Sequence, residues 1–520
     1  MARVEPRPGG ARPRPRTDAF LRGLARFVLG MLFREVELVG AERLPASGPV
    51  IVIANHSNSI VDGGILLGFL PRIPRFLAAS TVWEYKPIAP FMTASGSVKV
   101  YRQQDGRAHE GSLKDSFTEA AALLADGGVL AIFPEGRTHD TPALLPFKTG
   151  TARIAQFTEA RHGPLDLAVV PVGIDYEVKN LFRTRVCFTF GAPVRLGAGA
   201  AAGPAADPEA DLRGDQGAQK RRDAGVLNRA MRAATGRLQR ALSAVAPDFT
   251  NKGAARTITL AAEILAFEPG GRPGRPPAFS RIVTRRHAVE AALLGAEAGP
   301  EGTQANGAGA DRARANGAEA NGAEVDGARA NGAGADGAEA DGAGAARAAL
   351  DAYAQVLAEA SLADHEVAAP PDPAALMRSA LALLPGLPVA LTALVFCLPQ
   401  ALLLRAVSRS KPRDRQLTWI TFGGLVVYPL TWLLWAIVLG LSAGIAFGAG
   451  WGWAVAGAVP VLAPVSAWLA LPTLDRGWRI ARALRARRLL RRDQGLGRSL
   501  TALRKRAATA LGTVFGDGTG

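Results

Sequence analysis

The sequence is poor in cysteine, and nothing in it has the form of a secretory signal peptide. Only Cys187 and Cys397 occur among 520 residues, which excludes a disulfide framework and cysteine metal clusters. A reducing compartment or burial in a membrane is therefore expected. Residues 1–18 are rich in Pro, Gly and Arg, and two arginines interrupt the apolar stretch 19–33. That stretch is typical of an amphipathic helix lying on a membrane surface.

Charge is also missing from long parts of the chain. Residues 417–474 contain no Asp, Glu, Lys or Arg and hold six of the eight Trp. These 58 positions suffice for two membrane-spanning helices of roughly 20 residues each, and Trp prefers membrane interfaces. Residues 379–404 are uncharged too, but they contain three prolines. We therefore expect a re-entrant or membrane-embedded hairpin there, with a buried helical core as the alternative for both stretches.

The net charge of +16 and the hydrophobic fraction of 48% suggest two kinds of partner, nucleic acid or an anionic membrane. Residues 476–520 contain twelve basic and two acidic residues, and residues 1–18 contain five Arg and two acids. Most of the excess charge thus lies at the two ends, beside apolar segments. This placement favours anionic membrane lipids over nucleic acid and predicts an integral membrane protein with a cytoplasmic basic tail.

A five-residue repeat divides the chain. Asn or Asp recurs every fifth position from 306 to 341, and no large apolar residue repeats with it, which predicts a disordered linker. The composition indicates a basic N-terminus with a surface helix (1–44), a catalytic domain (45–195), a mostly helical extension (196–300), the linker (301–345), a helical segment (346–378), the hairpin (379–404), two transmembrane helices (417–474) and the basic tail (475–520).

Strand and helix patterns alternate between residues 49 and 195. Apolar β-branched runs at 49–54, 129–133, 167–174 and 185–190 are separated by helical patterns at 112–125 and 150–160. This alternation predicts an α/β fold with a mixed sheet flanked by helices. Pro171 predicts an edge or bulged position for its strand. Helical patterns at 219–245 and 254–267 are expected at the periphery of this domain.

A histidine and an aspartate follow the first of these strands. His56 comes directly after the run, and Asp62 follows within two helical turns. A carboxylate that holds one imidazole nitrogen leaves the other nitrogen free to accept a hydroxyl proton, as general base catalysis requires. A histidine in a turn is more often structural, and an aspartate at this position can also cap a helix. The pair is therefore a candidate catalytic base and its orienting carboxylate.

Three further blocks follow in order. Lys99 and Arg102 lie just past a short strand and are suited to a phosphate, although surface lysines and arginines are also often merely solvated. Residues 132–140 read IFPEGRTHD, with LLPFKTG at 144–150. The apolar strand 169–174 is the last block.

Together the four blocks resemble the glycerophospholipid acyltransferase superfamily. The longer spacing, with five residues between His56 and Asp62 where the common motif has four, is most similar to the glycerol-3-phosphate/dihydroxyacetone-phosphate acyltransferase branch. The additional residue must be absorbed in the turn before the helix if Asp62 is to reach His56.

The resemblance implies direct acyl transfer without an acyl-enzyme, with His56 and Asp62 as catalytic residues. It implies an acyl-CoA or acyl carrier protein donor and a glycerol phosphate or lysophospholipid acceptor, and it implies no metal and no cofactor. Substrate contacts are expected from Lys99, Arg102, Glu135, Gly136 and Arg137. The catalytic domain is expected on the cytoplasmic face.

Competing hypotheses come from two other classes of protein. A serine hydrolase would use Ser442 in a G-x-S-x-G pattern at 440–444 or Ser57 beside His56, but the pattern falls inside an uncharged stretch with no strand before it. A non-catalytic membrane scaffold is the second alternative, although all of the predicted site residues are intact. Lysophosphatidate remains the alternative acceptor.

Overall fold

The computed structural model describes residues 15–86, 88–101, 112–179, 181–196, 218–267, 276–295, 336–370 and 372–515. The chain divides into two compact units, Met1–Asp248 with Leu383–Arg476 and Phe249–Ala382 with Gly477–Gly520. The first unit contains the sheet. The second unit is helical in its described residues.

The described residues form eight strands. They are β1 (Phe33–Val39), β2 (Val50–Ala54), β3 (Pro74–Ala79), β4 (Val98–Val100), β5 (Val129–Ile132), β6 (Ala168–Tyr176), β7 (Thr184–Phe190) and β8 (Val194–Arg195). Their order is β1-β7-β6-β2-β5-β3-β4, and β8 pairs with β6. The β6–β7 and β6–β8 pairs are antiparallel, whereas the other pairs are parallel. The predicted α/β fold with a mixed sheet is confirmed.

The same residues form fifteen α-helices. They are α1 (Pro15–Leu32), α2 (Ile60–Phe69), α3 (Ala89–Ala94), α4 (Leu113–Ala125), α5 (Gly150–His162), α6 (Ala218–Ser243), α7 (Lys252–Ala266), α8 (Phe279–Gly295), α9 (Asp336–Ala360), α10 (Asp364–Ala368), α11 (Pro373–Leu381), α12 (Leu387–Arg409), α13 (Arg413–Phe447), α14 (Ala449–Arg492) and α15 (Gln494–Phe515). Helix α9 begins inside the predicted linker 301–345. The rest of that linker lies outside the described residues.

Strand β2 is the centre of a three-layer core, and all five of its residues are buried. Because successive side chains of a strand point to opposite faces, Val50, Val52 and Ala54 pack with α1 and α2 on one face of the sheet. Ile51 and Ile53 pack with α4, α5 and α6 on the other face. The residues that follow β2 therefore leave the sheet from a strand that is covered on both faces.

Strand β6 corrects the prediction of an edge position. It lies between β7 and β2 in the sheet, and Pro171 pairs with Ile53 of β2. On its other side, β8 pairs only with residues 168–169 and β7 with residues 172–176. Proline, which has no N–H to donate, thus falls in the gap between two partner strands. The carbonyl of Pro171 still accepts a bond from Gly191 N–H at 2.8 Å.

Two further predictions, on the N-terminal segment and on helix α6, differ from the structure. Strand β1 lies in the segment assigned to the N-terminal helix, and it pairs with β7 at the end of the sheet, where two glutamates do not prevent pairing. Helix α6 is not peripheral. Its Leu238 and Leu242 are buried against the sheet, and Gly173 lies so close to the residues after α6 that an added Cβ would fall 1.9 Å from Val245 O.

The apolar C-terminal region is helical. Among the described residues, Pro373–Arg409, Arg413–Phe447 and Ala449–Arg492 are long and apolar enough to cross a membrane. Large apolar side chains on them face outward, with Ile445 88% and Trp453 80% exposed, as helices surrounded by lipid require. Of the three prolines in 379–404, Pro385 lies in a 3-10 turn before α12, Pro388 lies in the first turn of α12, and Pro399 lies inside that helix. The hairpin stays a prediction.

In the second unit, part of the basic charge of the tail is paired internally. Arg504 donates to Asp364 at 2.8 Å and lies over the ring of Phe267. Asp364 also accepts a hydrogen bond from Tyr353 at 3.0 Å, and Arg482 pairs with Glu366. The tail is therefore an integral part of this helical unit as well as a source of positive charge.

Candidate active site

The loop after β2 brings His56 and Asp62 together. The loop covers residues 55–59, and Asp62 lies in the first turn of α2. His56 Nδ1 is 3.0 Å from Asp62 Oδ2. The additional residue of the longer spacing is absorbed before the helix, where Ser59 adopts a positive φ of 52°. Such a backbone conformation is uncommon for a residue other than glycine and is often held in place at functional sites.

Asp62 is fully buried and accepts two further hydrogen bonds. Asn58 N–H donates to Oδ2 at 2.7 Å, and the Tyr176 hydroxyl donates to Oδ1 at 2.5 Å. Burial, reinforced by the charge of Asp62, raises the pKa of Tyr176 well above its ordinary value, so that the phenol stays a neutral donor. The carboxylate is thus left to accept the proton of His56 Nδ1, and Nε2 is the basic nitrogen.

The ring of His56 is held in a fixed plane. It stacks on Phe133 with ring centroids 4.0 Å apart and an interplanar angle of 13°. Its side chain is 18% exposed, and it lines the large cavity of the first unit. His56 is therefore accessible to a substrate, while Asp62 is shielded from water.

Glu135 holds the loop of His56 in place through hydrogen bonds to backbone N–H groups. Its Oε1 accepts His56 N–H at 2.8 Å, and its Oε2 accepts Leu145 N–H at 2.9 Å and bonds His139 Nε2. His139 N–H in turn donates to His56 O at 3.3 Å. Glu135 is 2% exposed and does not line the cavity. The sequence predicts a substrate contact for Glu135, whereas the structure directs both of its oxygens toward the protein.

The cavity beside His56 has a volume of about 1480 Å³. Helices α1, α2 and α3 supply apolar walls, and α13 contributes Trp419, Phe422 and Val426. Phe422 meets Phe91 of α3 edge to face, with centroids 6.4 Å apart, and Leu417 of α13 is buried in the core. A candidate membrane span thus forms part of the cavity wall.

Of the remaining predicted substrate contacts, only some line the cavity. Gly136 and Arg137 line the cavity, and Gly136 has a φ of 71°. Lys99 does not line it, and its ammonium lies 5.2 Å from the ring centre of Trp83. Arg102 lies outside the described residues. The structure therefore brings together His56, Asp62 and the 133–137 loop, but not Lys99.

Sequence reasoning missed three residues at this site. Tyr176 is the last residue of β6, the buried apolar strand that pairs with β2, and a polar residue at the end of such a strand is a usable signal. His139 lies in the 132–140 stretch, but the sequence predicts no role for it. Lys148 lies in the LLPFKTG block, and its side chain runs over Gly136, where an added Cβ would fall 2.9 Å from it. The sequence does not show that these segments meet.

The serine candidates do not form a nucleophile site. Ser442 lies within helix α13, and its hydroxyl donates to Val438 O of the preceding turn at 2.8 Å. This geometry differs from the strand-turn-helix elbow that a G-x-S-x-G nucleophile needs. Ser57 is buried and does not line the cavity.

Comparison with known proteins agrees with this geometry. The family model described as Acyltransferase matches residues 35–175, which include β1 to β6, the loop of His56 and most of the cavity wall. Residues 35–175 are thus similar to the acyltransferase family, which confirms the resemblance predicted from the four blocks.

Parts of the chain are similar to three proteins from other organisms. An uncharacterised acyltransferase of Schizosaccharomyces pombe is 24% identical over 253 residues, which are 32% of this chain and 38% of the relative. Glycerol-3-phosphate O-acyltransferase 2 of Saccharomyces cerevisiae is 43% identical over 80 residues, 15% of this chain and 11% of the relative. Lyso-ornithine lipid O-acyltransferase of Brucella abortus is 28% identical over 152 residues, 29% of this chain and 53% of the relative. The chain covers less than two thirds of each relative.

The hydrogen bond from Tyr176 to Asp62 can be tested with a conservative change. In Tyr176→Phe, a buried carboxylate oxygen loses its donor, and we expect the turnover rate of the domain to fall about three- to thirtyfold with little change in substrate KM. The matched control is Tyr353→Phe, which removes a similar buried Tyr–Asp bond in the second unit. Equal turnover of the two variants would show that Tyr176 does not orient the His56–Asp62 pair.

Proposed function

We propose that the protein transfers a fatty acyl group from acyl-CoA or acyl carrier protein to the hydroxyl of glycerol-3-phosphate or dihydroxyacetone phosphate, a step of phosphatidic acid biosynthesis. The observation that carries the proposal is a His56–Asp62 pair at 3.0 Å on the wall of a large apolar cavity. The named glycerol-3-phosphate acyltransferase among the relatives supports this choice of acceptor.

The chemistry follows from the proton positions. His56 Nε2 takes the proton of the acceptor hydroxyl while the hydroxyl oxygen attacks the thioester carbonyl. The carbon–sulfur bond then breaks, an oxygen ester is formed, and the thiolate takes the proton from His56. Asp62 stabilises the imidazolium during the transfer because its oxygens are already fixed by Asn58 and Tyr176. No covalent acyl-enzyme is needed.

The apolar part of the cavity suits an acyl chain. Helix α1 contributes Leu21, Leu24 and Val28 to its wall, and α13 adds aromatic and aliphatic side chains. An alkyl chain gains about 0.8 kcal/mol for each CH₂ that it buries. Binding the chain along this wall would place the thioester carbonyl near His56 and so convert binding energy into positioning.

A lysophosphatidate acceptor is the second candidate. The cavity of about 1480 Å³ exceeds the range of about 300–1,000 Å³ usual for small-molecule sites, and one relative is named for a lysolipid acceptor. Such an acceptor carries the same hydroxyl and phosphate as glycerol-3-phosphate and adds an acyl chain. A membrane span in the cavity wall would give a lipid acceptor a path from the bilayer.

The acceptor can be determined by offering membranes that contain the protein labelled acyl-CoA with each acceptor in turn. We expect labelled lysophosphatidate from glycerol-3-phosphate, or the corresponding keto ester from dihydroxyacetone phosphate. Labelled phosphatidate formed only from added lysophosphatidate would establish the alternative acceptor. Label that reaches none of the three acceptors would contradict the proposal and favour a non-catalytic scaffold.

We further propose that the protein is an integral membrane protein with its catalytic domain on the cytoplasmic face, where acyl-CoA is available. Residues 405–416 contain five basic residues and one acid, and the tail after 475 is also basic. Both flanks are thus expected on the cytoplasmic side, with α13 and α14 crossing between them and with the predicted re-entrant segment 379–404 keeping the catalytic domain on that same side. The tail and the basic N-terminus would contact anionic lipid headgroups.

Protease accessibility tests this orientation. In right-side-out vesicles, externally added protease is expected to leave the catalytic domain intact, and after permeabilisation it should cleave that domain. Cleavage of the catalytic domain before permeabilisation would overturn the orientation. A marker on the outer face of the membrane that is digested and a cytoplasmic marker that is protected serve as controls.

A further inference from the structure

The turn between β6 and β7 exposes a cluster of large apolar side chains. Val178, Leu181 and Phe182 lie in this turn and are 44–54% exposed, whereas the two strands that carry it are buried. Single exposed apolar residues are common, but a cluster of them marks a surface that contacts another protein or a membrane. These three residues are called the hairpin tip below.

Arg183 fixes the hairpin tip in place. It follows Phe182 directly, and its φ of 61° is uncommon for a residue other than glycine. Its backbone N–H donates to Leu32 O at 2.6 Å, and its guanidinium donates to Phe33 O at 2.9 Å. The guanidinium also forms an ion pair with Asp475 of α14. The tip is therefore tied to the end of α1 and to α14 at the same time.

Asp475 is the first charged residue after the uncharged stretch 417–474. It lies in α14, which is long and apolar enough to cross a membrane. About two turns earlier in that helix, Trp468 stacks on Phe27 of α1 with ring centroids 5.2 Å apart, and tryptophan prefers the membrane interface. Arg183 thus holds α14 at the point where this helix is expected to leave the bilayer.

The other end of the uncharged stretch meets the same domain. Leu417 of α13 is buried in the core of that domain, and Phe422 lines the cavity beside His56. Because β6 and β2 are parallel, the turn after β6 and the His56 loop after β2 leave the sheet at the same edge. Both candidate spans therefore contact the domain at the edge that carries the active site and the hairpin tip.

We propose that the hairpin tip inserts into the interfacial region of the membrane beside the end of α14. This inference rests on the proposed membrane placement but not on acyl transfer. Each large apolar side chain that leaves water stabilises such a contact. A protein partner could cover the same cluster, but it would not require the tip to be tied to the end of a membrane helix. The contact would keep the active-site edge of the sheet at the bilayer surface.

Site-specific photocrosslinking tests this contact in the full chain. The photoreactive residue p-benzoylphenylalanine replaces Phe182, and the purified protein is reconstituted in vesicles of phosphatidylcholine and phosphatidylglycerol that contain a labelled phospholipid. The matched control carries the probe at Ser47, which is exposed and precedes β2 at the opposite edge of the sheet. We expect about tenfold more labelled lipid on the probe at Phe182. A yield no higher than that at Ser47 would overturn the proposal.

A probe at Ile445 separates failure of this contact from failure of the membrane placement. Ile445 is an exposed residue of the candidate span α13. Lipid crosslinks at Ile445 but not at Phe182 would overturn the hairpin contact alone, and their absence at both positions would overturn the membrane placement as well. Crosslinks from Phe182 to a protein instead of lipid in native membranes would also overturn the proposal. Lipid crosslinks at Phe182 in a protein without acyl transfer would reject only the proposed function.

A charge at the hairpin tip provides a second measurement. In Leu181→Asp, the lipid yield of the probe at Phe182 is expected to fall about tenfold, because a neighbouring apolar side chain no longer leaves water. Ser47→Asp adds the same charge at the opposite edge and should leave the yield within about twofold. An unchanged yield in Leu181→Asp would contradict insertion of the tip.

Discussion

Replacement of His56 by alanine is expected to lower the rate of acyl transfer by about 10²- to 10⁴-fold, which is the usual contribution of a general base. The loss should fall on kcat, because the apolar cavity wall and Arg137, which are proposed to bind the substrates, remain. Among the described residues, no histidine other than His56 lines the cavity, so no second imidazole there can replace it as the base. The measurement is labelled product formed per minute in membranes that contain equal amounts of protein.

The control for this change is His365→Ala in the second unit, which removes an imidazole outside the acyltransferase domain. Its rate is expected to match the wild type. Equal rates for His56→Ala and the wild type would contradict the assignment of His56 as the base. A labelled acyl-enzyme in either protein would reopen the alternative in which Ser57 is the nucleophile.

The Asp62→Asn variant should lose a similar factor for a different reason. The amide would donate to His56 Nδ1, so that the neutral imidazole carries its proton on Nε2 and has no lone pair for the acceptor hydroxyl. In comparable triads, loss of the carboxylate lowers kcat by about 10⁴-fold. Asp62 is fully buried at 3.0 Å from the ring, which keeps water from replacing it.

Asp140→Asn is the matched control, because it removes an aspartate of the neighbouring loop. Asp140 is 3.7 Å from Lys179, and both side chains are 31% exposed. Exposed pairs of this kind contribute little, so activity is expected to stay within about twofold. If Asp62→Asn retained wild-type kcat while Asp140→Asn lost it, the orienting carboxylate would have been assigned to the wrong residue.

The local elements could be predicted where burial and local chemistry agree. β2 is apolar at every position because both faces of a central strand are covered, and the pattern of residues 49–54 shows this directly. The helical pattern at 112–125 corresponds to α4, whose start is fixed by a capping box between Ser112 and Asp115. Both signals lie within a few residues of the element that they define.

Strand order could not be predicted from such signals. Pro171 argues against a central strand by a sound rule, but the rule assumes one continuous partner on each side. In this sheet β8 and β7 share one side of β6, and the proline lies where one partner stops and the other starts. β1 was missed because its charged residues obscure the apolar alternation of a strand that is only partly buried.

The candidate site shows the same division. The spacing of His56 and Asp62 predicts their contact because one loop and one helical turn join them. Tyr176 completes the same network from a strand 114 residues away, and Lys148 reaches the cavity because its loop crosses Gly136. Contacts of that kind depend on the sheet order, which the sequence leaves open. The sequence predicts a substrate role for Glu135 because it does not show that the segments of His56, Glu135 and Leu145 meet. In the structure the carboxylate oxygens of Glu135 hold the loop of His56.

The most direct measurement uses purified protein, acyl-CoA and glycerol-3-phosphate, with free thiol and acylated product quantified together. Acyl transfer releases one thiol for each ester formed, and the rates of formation of both products are expected to fall together by about 10²- to 10⁴-fold in His56→Ala. Thiol released without an acylated acceptor would identify a thioesterase. Ester formation that persists at the wild-type rate in His56→Ala would contradict the central claim that His56 is the base of an acyl transfer reaction.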